Sequence, residues 1–271
     1  MQDFLVAILL GCIEGFTEFL PISSTGHLIL FGNFLDFNNA EFQKLFNVII
    51  QSGAIMALIF FYRQTLITKI LQFFHLEKEG LIFAVQILCA FIPSVVLGVI
   101  FHDFVKAHLF TNIVVILSLF IGGVIILLLE QYRKKPTIMD VSFIPIKKCF
   151  TIGLCQTIAF IPGVSRSGST IITAMLLGVS KKSAIEFSFF LSIPTMIGAS
   201  VYDFLRSGDC INDISNGYAL VAVGFLSSFV FALIAVKFLL KTVSEISFKI
   251  FGYYRIALSL TIFITLLIFS S

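Results

Sequence analysis

Charged side chains are scarce in this sequence: Asp, Glu, Lys and Arg make up 12% of it, against 58% hydrophobic residues. With a mean hydropathy of +1.06, so little charge excludes a soluble globular domain with an ordinary solvated shell. A net charge of +3 over 271 residues is too weak for a nucleic-acid partner, and the basic residues sit between apolar runs instead of clustering. The N-terminal MQDFLVAILL carries Asp3 and no Lys or Arg before its apolar run. It therefore lacks the basic region and cleavage site of a secretory signal, which predicts that it is retained. None of the five cysteines forms a CxxC or a Cys/His group with zinc spacing. Cys12, Cys89, Cys149 and Cys155 lie in or beside apolar segments and read as inert packing residues.

What is present is a series of apolar runs, at about 46–62, 81–101, 113–129, 186–202, 217–240 and 251–271. Each matches the roughly 20 residues needed to cross the hydrocarbon core, so the sequence predicts an all-α polytopic membrane protein with six transmembrane helices. Arg63, Lys69 and Lys78 mark one cytoplasmic loop, Arg133, Lys134, Lys135, Lys147 and Lys148 a second, and Lys237, Lys241 and Lys249 a third. The opposite connections, with His102, Asp103, Lys106 and His108 or with Asp203, Arg206, Asp209 and Asp213, are assigned outside. Lys148 and Lys181–Lys182 then lie on the same side, so residues 149–180 must enter the membrane and return. Residues 3–37, broken at Pro21–Gly26, enter likewise from the outside.

Each half thus becomes one re-entrant helical hairpin followed by three spans, and an odd number of spans inverts the second half. The chain is read as one integral membrane domain, 1–271, with inverted-repeat halves of about 1–130 and 143–271. Leu20-Pro21-Ile22-Ser23-Ser24-Thr25-Gly26 can be set beside Ile161-Pro162-Gly163-Val164-Ser165-Arg166-Ser167-Gly168 with one inserted residue, and Glu14 then falls near Gln156. Broken helices at corresponding places of two halves mark a binding site near the midplane. Irregular backbone at membrane depth must line a cavity or be buried in protein, so both polar turns point to one wet pocket.

Glu14 and Glu18 are four residues apart, on one face of a helix that ends near Pro21. Such a pair suits a hard divalent cation that keeps open positions for phosphate and water, Mg²⁺ or else Ca²⁺. Ser23, Ser24, Thr25 and Gly26 form a turn and helix N-cap whose backbone N–H groups favour an anion. The turn with Ser165, Ser167 and Gly168 is built alike and adds Arg166, which can hold phosphate bidentately. His27 could serve as general acid, general base or nucleophile, and Ser24 is a second candidate nucleophile. Gln51, Glu186 and Ser188 are polar groups set in or at the edge of apolar helices and are further candidates, although Glu186 could simply pair with Lys182. His75, His102 and His108 read as loop residues.

EGFTEFLPISSTGHL and PGVSRSGST together resemble the two signature regions of the bacterial undecaprenyl-diphosphatase family, also called the bacitracin-resistance family. FNVIIQSGA and the six-span layout extend the resemblance along the chain. It implies an enzyme of the bacterial inner membrane that hydrolyses undecaprenyl diphosphate to the monophosphate, recycling the lipid carrier of peptidoglycan synthesis. Removing the diphosphate form, which bacitracin binds, would confer resistance. Carried over by motif, the family's acidic pair falls on Glu14 and Glu18, its Ser/His group on Ser23, Ser24 and His27, and its arginine motif on Ser165, Arg166 and Ser167. The family's link to a divalent cation agrees with the carboxylate pair. The expected partners are a polyprenyl diphosphate substrate and membrane lipids, with no nucleic acid and with a homo-oligomer left open. A transporter or flippase of a polyprenyl phosphate would use the same anion cradle without breaking a bond and stands as the alternative. The outside entry of the first hairpin predicts a pocket that opens away from the cytoplasm.

Overall fold

The computed structural model describes residues 2–35, 37, 40–131, 135–207, 211, 214–242 and 246–269. Eleven α-helices account for most of them. The first hairpin is α1, Gln2–Thr17, and α2, Ser24–Leu35; it is followed by α3, Ala40–Phe61, the short α4, Arg63–Phe74, then α5, Lys78–His108, and α6, Asn112–Gln131. The second hairpin is α7, Ile146–Gln156, and α8, Arg166–Leu176, followed by α9, Lys181–Ser207, α10, Gly217–Thr242, and α11, Lys249–Phe269. Among the described residues six helices are long and apolar enough to cross a membrane: α3, α5, α6, α9, α10 and α11. The protein is therefore an all-α, multi-pass membrane protein, as an apolar solvent that pairs with no backbone group requires. A hairpin followed by three spans occurs twice, an order compatible with two inverted halves.

Five of the six spans begin before the expected residue, α3, α5, α6, α9 and α11 starting at Ala40, Lys78, Asn112, Lys181 and Lys249. The stretch from Arg63 to Gly80, expected as a loop from its basic residues, contains α4. Ile67, Ile70, Leu71 and Phe74 recur at helical spacing and are all exposed, while Lys69 turns toward Gln72 and Glu79. That amphipathic build suits a helix lying at the membrane boundary. His102 and His108 belong to α5, and His75 caps α4, so none of them is an ordinary loop residue. Arg133, Lys134, Asp209 and Asp213, used for orientation, lie outside the described residues.

Small residues let the hairpin helices approach the spans. A Cβ on Gly15 of α1 would stand 2.5 Å from the Ser228 carbonyl oxygen of α10, and one on Gly153 of α7 would meet the Ala90 main chain of α5. Without a hydrophobic drive between helices in lipid, such backbone-to-backbone packing is what association rests on. Each hairpin therefore leans on a span of the opposite half, which brings the two helix–helix turns together.

Candidate active site

The first turn, residues 18–23, continues α1 by one bond, since Glu18 N–H still donates to the Glu14 carbonyl at 2.9 Å. The two glutamates consequently share a face, as their spacing implies. The turn closes at Ser23, held at φ +71°, a left-handed conformation that a non-glycine residue adopts only when its surroundings hold it there. Ser23 Oγ accepts from Gly26 N–H at 3.3 Å, capping α2. Ser165 repeats the device at α8, its Oγ accepting from Gly168 N–H at 3.0 Å.

The caps occupy matching places in the two sequence motifs, and the turns are also in contact. A Cβ on Gly26 would lie 3.6 Å from Gly163 Cα, and one on Gly168 would lie 3.6 Å from Pro21 Cβ. Ser167 Oγ donates to the Leu20 carbonyl at 2.7 Å, tying the second turn to the first. Gly163 sits at φ +90°, where a Cβ would be 2.7 Å from the Val115 carbonyl oxygen. Gly163→Ala is therefore expected to combine left-handed strain, about 1–2 kcal/mol, with a collision against α6. The variant should show a lower melting temperature in detergent and little activity; an unchanged melting temperature would contradict this account of the turn.

Between the turns lies a cavity of about 190 Å³. Its polar wall comprises Glu18, Ser23, Ser24, Thr25, Gln51, Ser165, Arg166 and Thr195. Ser24 Oγ donates a short hydrogen bond to Glu18 Oε2. Arg166 Nη2 reaches Glu18 Oε1 from the second turn at 2.8 Å. One carboxylate thus joins a hydroxyl from its own turn to a guanidinium from the other. Arg166 is steadied from behind, with Nη1 on the Ser188 carbonyl at 3.2 Å and Nη2 on Met196 Sδ at 3.1 Å, while its Nε is buried without a partner. Breaking a buried pair of this kind by removing one partner leaves an uncompensated charge.

Other expected residues stand behind the wall. Gly26, Ser167 and Gly168 shape the turns and do not line the cavity. Glu14 is 1% exposed; among the described residues neither carboxylate oxygen meets a hydrogen-bond donor, and the carboxyl lies against that of Glu18 and within electrostatic reach of Arg166. Gln156, its counterpart in the motif comparison, is equally buried and donates to Ser94 Oγ at 2.5 Å. His27 also lies outside the cavity wall, with both ring nitrogens engaged: Nδ1 is 2.7 Å from the Ser23 carbonyl and Nε2 is 2.7 Å from the Tyr254 hydroxyl. The carbonyl can only accept, so Nδ1 carries a proton, while the Tyr254 hydroxyl can donate to Nε2 of the neutral ring or accept from that of the charged one. Ser188 Oγ bonds Thr170 Oγ1 at 2.6 Å, and Glu186 lies away from the wall, where it feels Lys182 and Asp140.

Two residues of α11 escaped the sequence reading. Tyr254 holds His27, and Arg255 is 2% exposed with its guanidinium on main-chain carbonyls of both turns. The signal available was one charged residue inside the last apolar run, and such a residue is by default functional or paired.

The family model for bacitracin resistance protein BacA matches residues 7–261. The chain is 44% identical to undecaprenyl-diphosphatase 3 of Acinetobacter baylyi over 261 residues, which cover 96% of this chain and 97% of the relative. It is 43% identical over 272 residues to the undecaprenyl-diphosphatase of Acinetobacter baumannii, covering 100% and 99%. To that of Pseudomonas syringae pv. tomato it is 44% identical over 259 residues, covering 96% and 92%.

Proposed function

The chain belongs to the bacitracin resistance protein BacA family, and from that premise we infer that it is an undecaprenyl-diphosphatase. It hydrolyses undecaprenyl diphosphate to undecaprenyl phosphate and inorganic phosphate, recycling the lipid carrier of peptidoglycan synthesis and conferring bacitracin resistance. The observation that carries the reaction is the Glu18 carboxylate, which engages Ser24 from the first turn and Arg166 from the second on the wall of one cavity.

The diphosphate enters between the N-termini of α2 and α8, whose dipoles and first N–H groups favour an anion. Arg166 turns from Glu18 to the terminal phosphate, where its fork can hold two oxygens. Ser24 Oγ attacks the terminal phosphorus while its proton passes to Glu18; undecaprenyl phosphate leaves, and water then releases phosphate from Ser24. Arg166 stabilises charge on the equatorial oxygens, the main contribution expected in phosphoryl transfer. His27, fixed by Ser23 and Tyr254, keeps the turn before Ser24 in place.

The residues also suit a divalent cation, Mg²⁺ or Ca²⁺. The two oxygens of Glu14, one turn below Glu18, are hard donors that meet no hydrogen-bond donor among the described residues. Glu14 and Glu18 would hold the ion, which would supply neutralisation of the substrate's negative charge.

The cavity wall includes Phe110 on the connection between α5 and α6, the side assigned outside by the loop charges. The site accordingly faces away from the cytoplasm, where diphosphate is released during wall synthesis. Cysteine placed at Val105, half-buried near the end of α5, should react with a membrane-impermeant maleimide in intact cells; labelling only after lysis would invert the orientation. The activity itself is tested by phosphate release from undecaprenyl diphosphate by the purified protein in detergent, where transport has no compartments to act between. Release supports the enzyme, and none from folded protein overturns it.

A further inference from the structure

Arg255 differs from the other charges near the site. Among the described residues it has no carboxylate partner, and its bonds go to backbone: Nη1 to the Pro21 carbonyl at 3.2 Å, Nη2 to those of Gly163 and Ser118 at 2.9 Å, Nε to that of Leu119 at 3.3 Å. Pro21 lies in the first turn and Gly163 in the second, while Ser118 and Leu119 belong to α6. A guanidinium presents its donors in a rigid plane, so the three elements that meet there are held at fixed mutual positions. Arg255 does not line the cavity and touches no reacting atom.

We propose that Arg255 is a positioning residue that sets the register of the two turns, so that Arg166 meets the Glu18–Ser24 pair. The proposal rests on the phosphatase reading of the cavity. Two further observations support it. Helix α6 leaves a notch at Gly122, where a Cβ would stand 2.8 Å from Arg255 Cζ. The packing of α11 on α6 is made elsewhere, by Ile256 against Gly123 and by Gly252 against Leu127, so joining those helices does not need the guanidinium. Tyr254 acts on the same turn through His27 and the Ser23 carbonyl.

The test compares Arg255→Gln, Arg255→Lys, Gly122→Ala and the packing control Ile256→Ala, each measured for kcat, KM and melting temperature in detergent. Misplacement of reacting groups by about 1 Å costs on the order of 10²-fold. Arg255→Gln and Gly122→Ala should lose that much kcat per folded molecule with KM changed only a few-fold, and Arg255→Lys should recover part of it. Ile256→Ala should lower the melting temperature while keeping kcat. Wild-type kcat in both Arg255→Gln and Gly122→Ala overturns the proposal, as does a loss in Ile256→Ala that matches theirs. Gly122→Ala leaves the arginine in the chain and serves if Arg255→Gln fails to fold.

A second readout does not depend on activity. Nitroxides at Phe31 on α2 and Leu176 on α8, both exposed, report the spacing of the hairpins by electron–electron resonance after replacement of the native cysteines. Gly122→Ala or Arg255→Gln should broaden or shift the distance distribution, and Ile256→Ala should not. An unchanged distribution overturns the register claim even if the wild type releases no phosphate, a result that would instead overturn the phosphatase reading.

Discussion

Replacing Arg166 by lysine is expected to lower kcat/KM for undecaprenyl diphosphate by about 10²-fold, the cost of one misplaced charge-stabilising donor. Lysine keeps the positive charge, so a purely electrostatic role would survive the change. It loses the planar fork, and with it the simultaneous hold on two phosphate oxygens. The side chain also gives up its bonds to the Ser188 carbonyl and Met196 Sδ, which aim the guanidinium at the cavity. Arg166→Ala removes the charge as well and leaves the buried Glu18 carboxylate without its cation, held by Ser24. It should cost about tenfold more again, in the range found for arginines that stabilise phosphoryl transfer, about 10³-fold or above. Steady-state phosphate release checks both variants, and near-normal turnover by Arg166→Lys would remove the bidentate role.

Ser24→Ala is expected to lower kcat by at least about 10³-fold, because it removes the attacking oxygen and the proton that Glu18 accepts. The hydroxyl is singled out by geometry: it lies on the cavity wall and already donates to Glu18 Oε2. His27, the rival by sequence, has both nitrogens occupied behind the wall. His27→Gln should therefore lose less than Ser24→Ala, through loosening of the Ser23 turn. Acid quenching during turnover of substrate labelled in the terminal phosphate should trap label on Ser24. If Ser24→Ala retains activity within tenfold of the wild type, water attacks directly and Glu18 is its base.

Much of this site is legible in the sequence because polar residues stand out in an oily chain. Glu14, Glu18, Ser23, Ser24 and Arg166 crowd into two short polar stretches, where a site outweighs an exposed helix end or an arginine reaching the interface, and the short likeness of the two turns points to one pocket. The structure brings the two turns against each other, Gly26 beside Gly163 and Gly168 beside Pro21. The helix-breaking turns and apolar runs likewise announced hairpins and spans, since length against bilayer thickness is a strong constraint.

The remainder depended on contacts that no local pattern encodes. His27 meets Tyr254 across 227 positions of chain, and spacing alone could not distinguish a held imidazole from a free one. Arg255 was absorbed into the last apolar run, whose overall hydropathy outweighed a single charge. Helix α4 was hidden for the opposite reason: its basic residues drew attention as topology markers, while Ile67, Ile70, Leu71 and Phe74 carried the helical period. The glycines that seat α1 and α7 on their spans look like any others until a backbone lies against them.

The two turns make one phosphate-hydrolysing site. Its most direct test is the initial rate of phosphate release from undecaprenyl diphosphate by wild type, Glu18→Gln, Arg166→Lys and the double variant. Residues that act as a unit are strongly non-additive. The double variant should therefore lose at least about tenfold less than the product of the two single losses. Losses that simply multiply would mean that Glu18 and Arg166 work independently, and would contradict the shared site.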